Sequence, residues 1–268
     1  MISVAGLPTM AALKLVEATE TKEQALIRKS PQHQREIAYF KENIGSITSV
    51  DALTDDYRLY SFVMKAFDLE DQIFGKAMME KILKSNIEDP KALVNRLTDS
   101  RFKKLYLEMG FGSNGEGNIN TGLNRWQDRM ITRYVDTQYV NGKAEENETL
   151  GAALAFRRKA STIRTAFDIL KDKELTAFMH TALGLPSQMA ALDIDRQARM
   201  ITDKLDIATL SDPDVVDGLM RKFVALSDAT SSNAAENPIV QLVSGGASGS
   251  VVMATLDLDL VTRFNSYR

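Results

Sequence analysis

The sequence predicts an all-α protein built from two tandem, related helical lobes. Apolar residues recur at helical spacing along most of the 268 residues. Strict alternation of apolar and polar residues, which is typical of strands, appears only near the end of the chain. One helical pattern occurs twice, which indicates an internal duplication. An apolar content of 44% is sufficient for one large or two small cores.

The duplicated pattern lies in "YRLYSFVMKAFDLED" and again in "LTAFMHTALGLPS", where Leu175 follows Leu59 by 116 positions. In each copy the apolar residues occupy positions i, i+3, i+4, i+7 and i+8, which form one face of a helix. We expect both faces to be buried. The predicted repeat core consists of Leu59, Phe62, Val63, Ala66, Phe67, Leu175, Phe178, Met179, Ala182 and Leu183.

Both copies carry a stop signal after the stripe. Asp68 and Gly184 stand where helices commonly end in a left-handed residue, and Leu69 and Leu185 follow them. A leucine at that position can fold back over the last helical turn. We therefore expect the two helices to end in the same way.

A second alignment pairs "IEDPKALVNRL" with "LSDPDVVDGLM" and requires an insertion near "PSQMAALDI". An aspartate followed by proline and a periodic apolar run is typical of a helix start. The carboxylate accepts an orphan amide proton, and proline loses no hydrogen bond at the first helical position. Asp89 and Pro90, like Asp212 and Pro213, are therefore predicted as helix cap and first helical residue.

The predicted organisation has five parts. They are an N-terminal helical arm (1–29), a first lobe (30–110), a Gly/Asn-rich linker (111–122), a second lobe (123–228) and a C-terminal tail (229–268). In the tail, "ATLDLDLV" alternates leucine with aspartate, so it is either a short strand or a frayed helix. Both termini look separable from the body.

Composition excludes several classes of site. The formal net charge of −3 provides no general attraction for a polyanion, which argues against nucleic acid as a partner. Without cysteine the chain has no disulfides, no thiolate metal sites and no cysteine nucleophile. The N-terminus lacks the basic region of a secretory signal, and "LGAALAF" is too short to span a membrane.

A glycine motif that could bind a nucleotide and two histidines that could bind a metal are better explained by structural roles. "GFGSNGEG" contains G-x-G-x-x-G, but the segment before it has a helical pattern and the next helix is delayed, so we interpret it as a flexible turn between the repeats. His33 lies in the first turn of a predicted helix and is expected to face solvent. His180 lies in the stripe helix and is expected to pack beside the core. These two histidines do not make a metal ligand set.

Charged clusters also receive a structural interpretation. Asp257 and Asp259 share a strand face, but no basic partner accompanies them, so a solvated edge is expected. "RFKK" at 101–104 and "FRRK" at 156–159 carry three positive charges each. We expect them to pair with carboxylates or face water rather than bind phosphate. The sequence therefore predicts no catalytic residue, cofactor or metal site.

The phrases "YFKENIGSITSV", "DDYRLYSFVMKAFDLED" and "LDI…LSDP" carry a family resemblance. In these segments the chain resembles an alphaproteobacterial domain-of-unknown-function family. The similarity extends over most of residues 30–225. The resemblance implies an all-helical protein of two related lobes whose gene often lies near flagellar gene clusters. It implies no known active site, so it supplies no catalytic residues.

These observations favour a non-enzymatic structural or assembly protein associated with the bacterial flagellum. It would act by docking helix faces on flagellar protein partners. One alternative is a cytoplasmic chaperone or regulator of flagellar export. A further alternative is small-molecule binding in the cleft between the lobes. The expected location is the cytoplasm or the flagellum, without membrane insertion.

Overall fold

The structure, a computed structural model, describes residues 1–230 of the chain. Within this range, thirteen α-helices and four short 3-10 helices are present, and the β-structure is limited to an isolated bridge between Ser49 and Glu116. The predicted all-α fold is therefore confirmed for residues 1–230. The expectations for the tail, including the Asp257 and Asp259 pair and the possible short strand, lie outside the described residues.

The helices follow one another with short connections. The α-helices are α1 (Thr9–Lys29), α2 (Pro31–Asn43), α3 (Val50–Asp55), α4 (Tyr57–Ala66), α5 (Lys76–Leu83), α6 (Leu93–Arg96), α7 (Ser100–Met109), α8 (Asn124–Glu146), α9 (Glu148–Ala160), α10 (Ala166–Leu170), α11 (Lys173–Ala182), α12 (Ile194–Thr202) and α13 (Pro213–Thr230). The 3-10 helices are Ile44–Ser46, Glu70–Gln72, Ser187–Ala191 and Ile207–Ser211.

Helix α8 is central to the core. It packs against α1, α4 and α9, and Trp126, Tyr134 and Tyr139 on it are almost fully buried. Because α8 contacts helices on several sides, Met1–Ser227 form one compact unit. The predicted lobes thus share a core and are not separate domains.

Two stretches of the chain repeat the same order of elements. In α1–α5 and again in α8–α12, a long helix is followed by a 13-residue helix, a short helix, a 10-residue helix, a 3-10 turn and a further helix, and the first stretch has an additional 3-10 turn, Ile44–Ser46, before its short helix. Between α5 and α8 the chain adds α6, α7 and the Gly/Asn-rich segment. Helices α4 and α11, which hold the predicted stripes, occupy the same place in the two stretches.

Helices α4 and α11 begin with equivalent caps. Asp56 Oδ1 accepts hydrogen bonds from the backbone N–H groups of the second and third residues after it, at 3.0 and 3.1 Å. Asp172 Oδ1 does the same for α11, at 3.1 and 3.1 Å. Each carboxylate satisfies two amide protons that have no partner within the helix.

The two helices also end as the sequence predicts. Asp68 has φ 61° and Gly184 has φ 58°, both in the left-handed region. The next residue bonds back in each copy: Leu69 N–H donates to Met64 O at 2.9 Å, and Leu185 N–H donates to the corresponding carbonyl of His180 at 2.8 Å. This six-to-one hydrogen bond is the Schellman motif, which satisfies carbonyls at a helix end.

The central ring of each stripe lies in a three-ring stack. Phe62 stacks between Phe40 and Tyr134, with centroid distances of 4.2 and 4.3 Å. Phe178 stacks in the same way, with distances of 4.0 and 4.4 Å to its two neighbours. Each of the ten repeat-core residues is at most 5% exposed. The neighbours of Phe178 are Phe156 and Phe223.

The helix start predicted at Pro90 is wrong. The Asp89 carboxylate accepts from Lys91 N–H at 2.8 Å and closes a turn, and the next helix, α6, begins only at Leu93. The side chain of Asn95 holds this turn by donating to the Asp89 carbonyl. The second alignment therefore pairs a turn and a four-residue helix with the 18-residue α13.

At the other predicted start, α13 begins at Pro213. The carboxylate of Asp212 accepts a hydrogen bond from Asp214 N–H at 3.0 Å. The same Asp-Pro dipeptide thus begins a long helix at one place and a turn at the other. The difference follows the residues after it, because an apolar periodic run of sufficient length continues only in α13.

The linker predicted to be flexible is anchored on the first repeat. Gly115 O accepts from Val50 N–H at 2.8 Å, and Thr121 Oγ1 donates to Ile47 O at 2.8 Å. Gly115 has φ 78°, and a Cβ there would lie 2.6 Å from the side chain of Lys84. The glycines therefore allow close packing in this segment.

The N-terminus is also not the separable arm that the sequence predicts. Glu23 on α1 and Lys143 on α8 form an ion pair at 2.9 Å whose side chains are 0% and 1% exposed. Ile2 binds both partners through its backbone, donating N–H to Glu23 and accepting from Lys143 Nζ. Because both side chains are buried between α1 and α8, helix α1 is part of the core. Separating α1 from the body would leave Lys143 without its partner, and an unpaired charge at this depth would be strongly unfavourable.

Candidate functional site

A cleft of about 1020 Å³ opens where the end of α4 meets α7, α8 and α9. Its size is at the upper end of the range usual for ligand clefts. The basic residues of its lining are Arg101, Lys104, Arg125, Arg129, Arg133, Arg158 and Lys159. The acidic residues are Asp68, Glu108, Asp128 and Asp136. Seven cations thus face four carboxylates, in a chain whose overall formal charge is −3.

Helix α8 supplies one wall of this cationic cleft. Arg125, Arg129 and Arg133 are spaced four residues apart, so they lie along one side of the helix. From Arg125 to Arg133 the helix rises by roughly 12 Å, at about 1.5 Å per residue. The positive charge is therefore spread along an elongated surface.

The basic clusters of α7 and α9 supply the facing walls. Part of the prediction for them is correct: Arg101 pairs with Asp99 at 2.8 Å, and Lys159 pairs with Asp172 at 2.8 Å. The structure also brings the two clusters together, because Arg101, Lys104, Arg158 and Lys159 line the same cleft. Together with the α8 arginines they form one positive surface.

Three cations in the cleft, the exposed Arg125 and the half-buried Lys104 and Arg133, have no carboxylate partner among the described residues. Neither Lys104 Nζ nor the Arg133 guanidinium forms an ion pair there, although both side chains are half-buried. Burial lowers the pKa of Lys104, and the nearby charge of Lys159 lowers it further. Burial likewise lowers the pKa of Arg133, whose guanidinium lies 4.6 Å from the centroid of the Phe67 ring. A negatively charged ligand would relieve this repulsion.

Asp68 lines the cleft just after the end of α4. Its Oδ1 accepts from Asn141 Nδ2 at 3.1 Å, and its Oδ2 lies 3.5 Å from Arg158 Nη2. Its backbone carbonyl accepts from the guanidinium of Arg101. Arg158 also donates to Thr137 Oγ1 at 2.9 Å. Asp68 by itself therefore connects the end of α4 to α7, α8 and α9.

The remaining carboxylates differ in their surroundings. Asp128 pairs with Lys41 at 3.1 Å and Glu108 with Arg129 at 3.1 Å, both at the exposed rim, where such pairs contribute little. Asp136 is half-buried, and burial raises its pKa. The rim pairs can therefore open for a ligand at low cost.

The two histidines lie outside the cleft. His33 Nδ1 is 2.8 Å from Tyr134 Oη and its ring contacts the tyrosine ring, so the predicted solvent role is wrong. Burial lowers the pKa of His33, and the charge of Lys65 adds to this. His180 packs at the helix end with its Nε2 buried and without a hydrogen-bond partner among the described residues.

Within residues 1–230 no group of three or more His, Cys, Asp or Glu side chains could hold a metal ion. In the same range no helix combines the length and apolar character needed to cross a bilayer. The predicted repeat-core residues contribute only Ala66 and Phe67 to the cleft wall. The others remain in the core.

Helix α8 carries a signal for the cleft in its sequence. In "LNRWQDRMITRYV" arginines recur every four residues on the side of α8 that the apolar stripe leaves free. Like charges at this spacing repel one another on an isolated helix. Such a stripe indicates either a compensating acidic neighbour or a ligand surface.

Comparison with known proteins gives a family but no activity. A model of the family described as "Protein of unknown function (DUF1217)" matches residues 66–216. An X-ray crystal structure of a protein from Agrobacterium tumefaciens, a structural genomics target, is similar with 30% sequence identity and a TM-score of 0.73, over 85% of this chain and 96% of that chain. A search of curated proteins found no significant match. The chain belongs to the DUF1217 family.

Proposed function

We propose that this member of the DUF1217 family is a non-enzymatic binding protein that docks an acidic segment of a protein partner in the cationic cleft. The observation that carries the proposal is the excess of cations in the cleft, including Lys104 and Arg133, which have no carboxylate partner among the described residues. Fields of one sign focused in a concave surface attract and orient an oppositely charged ligand.

The distribution of positive charge along the cleft favours a protein segment over a compact anion as the ligand. The arginines of α8 extend along roughly 12 Å, which suits several carboxylates in a row. Leu107 in the same cleft is 59% exposed, so the surface also has an apolar contact to offer. An amphipathic acidic helix or strand would match both features.

The proposed partner is a flagellar component. This part of the proposal is supported by the family resemblance, which associates such genes with flagellar gene clusters. The protein would then act in flagellar structure or assembly. As an alternative, it would be a cytoplasmic chaperone or regulator that holds an acidic part of a flagellar subunit before export. Presence in purified basal bodies favours the first role, and a purely cytoplasmic pool favours the second.

We also infer that α1–α5 and α8–α12 descend from one ancestral unit. The proposal is supported by the equivalent caps Asp56 and Asp172 and by the equivalent helix ends at Asp68 and Gly184. The position of the central phenylalanine in each ring stack adds to it. The cleft lies where the α4 end of the first unit meets α8 and α9 of the second. A single unit could not build it.

A small anionic ligand is a second candidate function. The observation that favours it is the convergence of polar groups from both units in one cleft. Inorganic phosphate as a competitor separates the two candidates. If phosphate displaces the partner only as strongly as chloride of equal ionic strength, the protein segment is favoured.

The test is capture of partners from flagellated cells with the full chain as bait, followed by mass spectrometry. The cleft variant carries Lys104→Glu and Arg133→Glu, and the matched control carries Lys22→Glu and Lys29→Glu at exposed positions of α1, so that both variants reverse two charges. We expect wild type and control to retain a flagellar protein with an acidic segment, and the cleft variant to lose it. Equal recovery of that protein by all three baits would contradict the proposal.

A further inference from the structure

Provided that the cleft is the docking site proposed above, we infer that Asp68 is a built-in counter-ion that holds Arg158 in the free protein and limits the affinity for the acidic ligand. An incoming carboxylate competes with Asp68 for Arg158. Asp68 is then a positioning residue that sets how acidic a ligand must be in order to bind.

The backbone at Asp68 gives the first reason for this assignment. Among the described residues, Asp68 alone has a positive φ without being glycine. The equivalent position in the second repeat is Gly184, which adopts the same conformation without strain. An aspartate accepts a less favourable conformation there, and the helix end alone does not require its carboxylate.

The side-chain contacts give the second reason. The carboxylate of Asp68 points into the cleft wall and meets Asn141 at 3.1 Å and Arg158 at 3.5 Å. The separation from Arg158 is longer than that of a good charge-assisted hydrogen bond, which is about 2.7–2.9 Å. Arg158 is therefore neutralised only in part and keeps the ability to bind a closer anion.

The pattern of unpaired charge gives the third reason. Asp68 compensates Arg158, while Lys104 and Arg133 have no such partner in the described chain. A ligand carboxylate can bind Lys104 and Arg133 without displacing anything. Only a ligand with a further carboxylate gains from replacing Asp68 at Arg158, so the cleft discriminates by the number of charges on its ligand.

The experiment measures binding of a fluorescent oligoglutamate peptide to the full chain at low salt. The test variant is Asp68→Asn, which removes the charge while asparagine still tolerates a left-handed backbone. The matched control is Asp55→Asn, which removes a carboxylate from an exposed ion pair with Lys76 outside the cleft. We expect Asp68→Asn to bind the peptide roughly three- to tenfold more tightly, with a steeper dependence on salt, and Asp55→Asn to change the affinity less than twofold.

Equal effects of the two substitutions would overturn the inference, because net charge alone would then explain the change. Asp68→Gly provides a second variant that suits the backbone, as Gly184 does, and should behave like Asp68→Asn. The proposed function fails separately: if the Lys104→Glu and Arg133→Glu variant binds the peptide as tightly as wild type, the peptide does not occupy the cleft.

Discussion

At the scale of single residues, the two helix ends show how one backbone requirement can be met with different chemistry. Gly184 has φ 58° and an added Cβ there would meet no atom within 4 Å, so its only role is to adopt the left-handed conformation. Asp68 adopts the same conformation and adds a carboxylate to the cleft. The sequence indicates both helix ends, but the role of the carboxylate follows only from its neighbours in space.

Gly184→Ala tests the backbone requirement without disturbing any contact. We expect a loss of about 1 kcal/mol in the free energy of unfolding, because alanine is disfavoured in the left-handed region. The matched control is Gly218→Ala, within α13 and also without atoms near the added Cβ, which should gain roughly 0.5–1 kcal/mol. Urea denaturation of both variants measures this. If Gly184→Ala is as stable as wild type or more stable, a left-handed conformation at position 184 is contradicted.

At the scale of elements, α4 and α11 have the same caps but different support around them. Asp56 accepts a hydrogen bond from Tyr39 Oη at 2.7 Å, while Asp172 pairs with Lys159, whose side chain is 10% exposed. Burial raises the pKa of Asp172, but the hydrogen bond from Lys159 and the backbone N–H groups outweigh it and lower the pKa overall. The second cap therefore also neutralises a buried cation.

Replacing each capping aspartate should separate these roles. Asp56→Ala is expected to lower the free energy of unfolding by about 1–2 kcal/mol, the usual cost of a lost cap. Asp172→Ala should cost more, about 3 kcal/mol, because Lys159 then keeps only Glu174 as a partner. Chemical denaturation gives both values.

A second substitution provides the control for the buried cation. Lys159→Met in the Asp172→Ala background should recover part of the loss, since it removes the charge that is left poorly paired. If Asp172→Ala costs no more than Asp56→Ala and Lys159→Met recovers nothing, the ion pair contributes only as a cap.

At the scale of the whole molecule, much of the fold could be predicted, while the site could not. Apolar periodicity located α4 and α11 and their buried stripes, since this pattern is local in sequence. The Asp-Pro signal failed at Pro90 because the residues after it continue as a turn. The N-terminus and the Gly/Asn-rich segment were misjudged because Glu23 and Thr121 find their partners far away in sequence.

The cationic cleft depends entirely on long-range packing. Arg101 and Arg158 are 57 positions apart in "RFKK" and "FRRK", and α8 brings them to one surface. Judged singly, each cluster has too little charge to indicate a site. Only the arginine stripe of α8 was readable in advance, because its four-residue spacing is local.

An NMR titration tests the central claim that acidic ligands bind in this cleft. The full chain, labelled with ¹⁵N in its lysine and arginine side chains, is titrated with the oligoglutamate peptide. We predict that the largest chemical-shift changes occur at Lys104 and Arg133, while exposed Lys22 on α1 remains unchanged. Changes of equal size at Lys22 and at the cleft cations, or none at the cleft, would contradict the account.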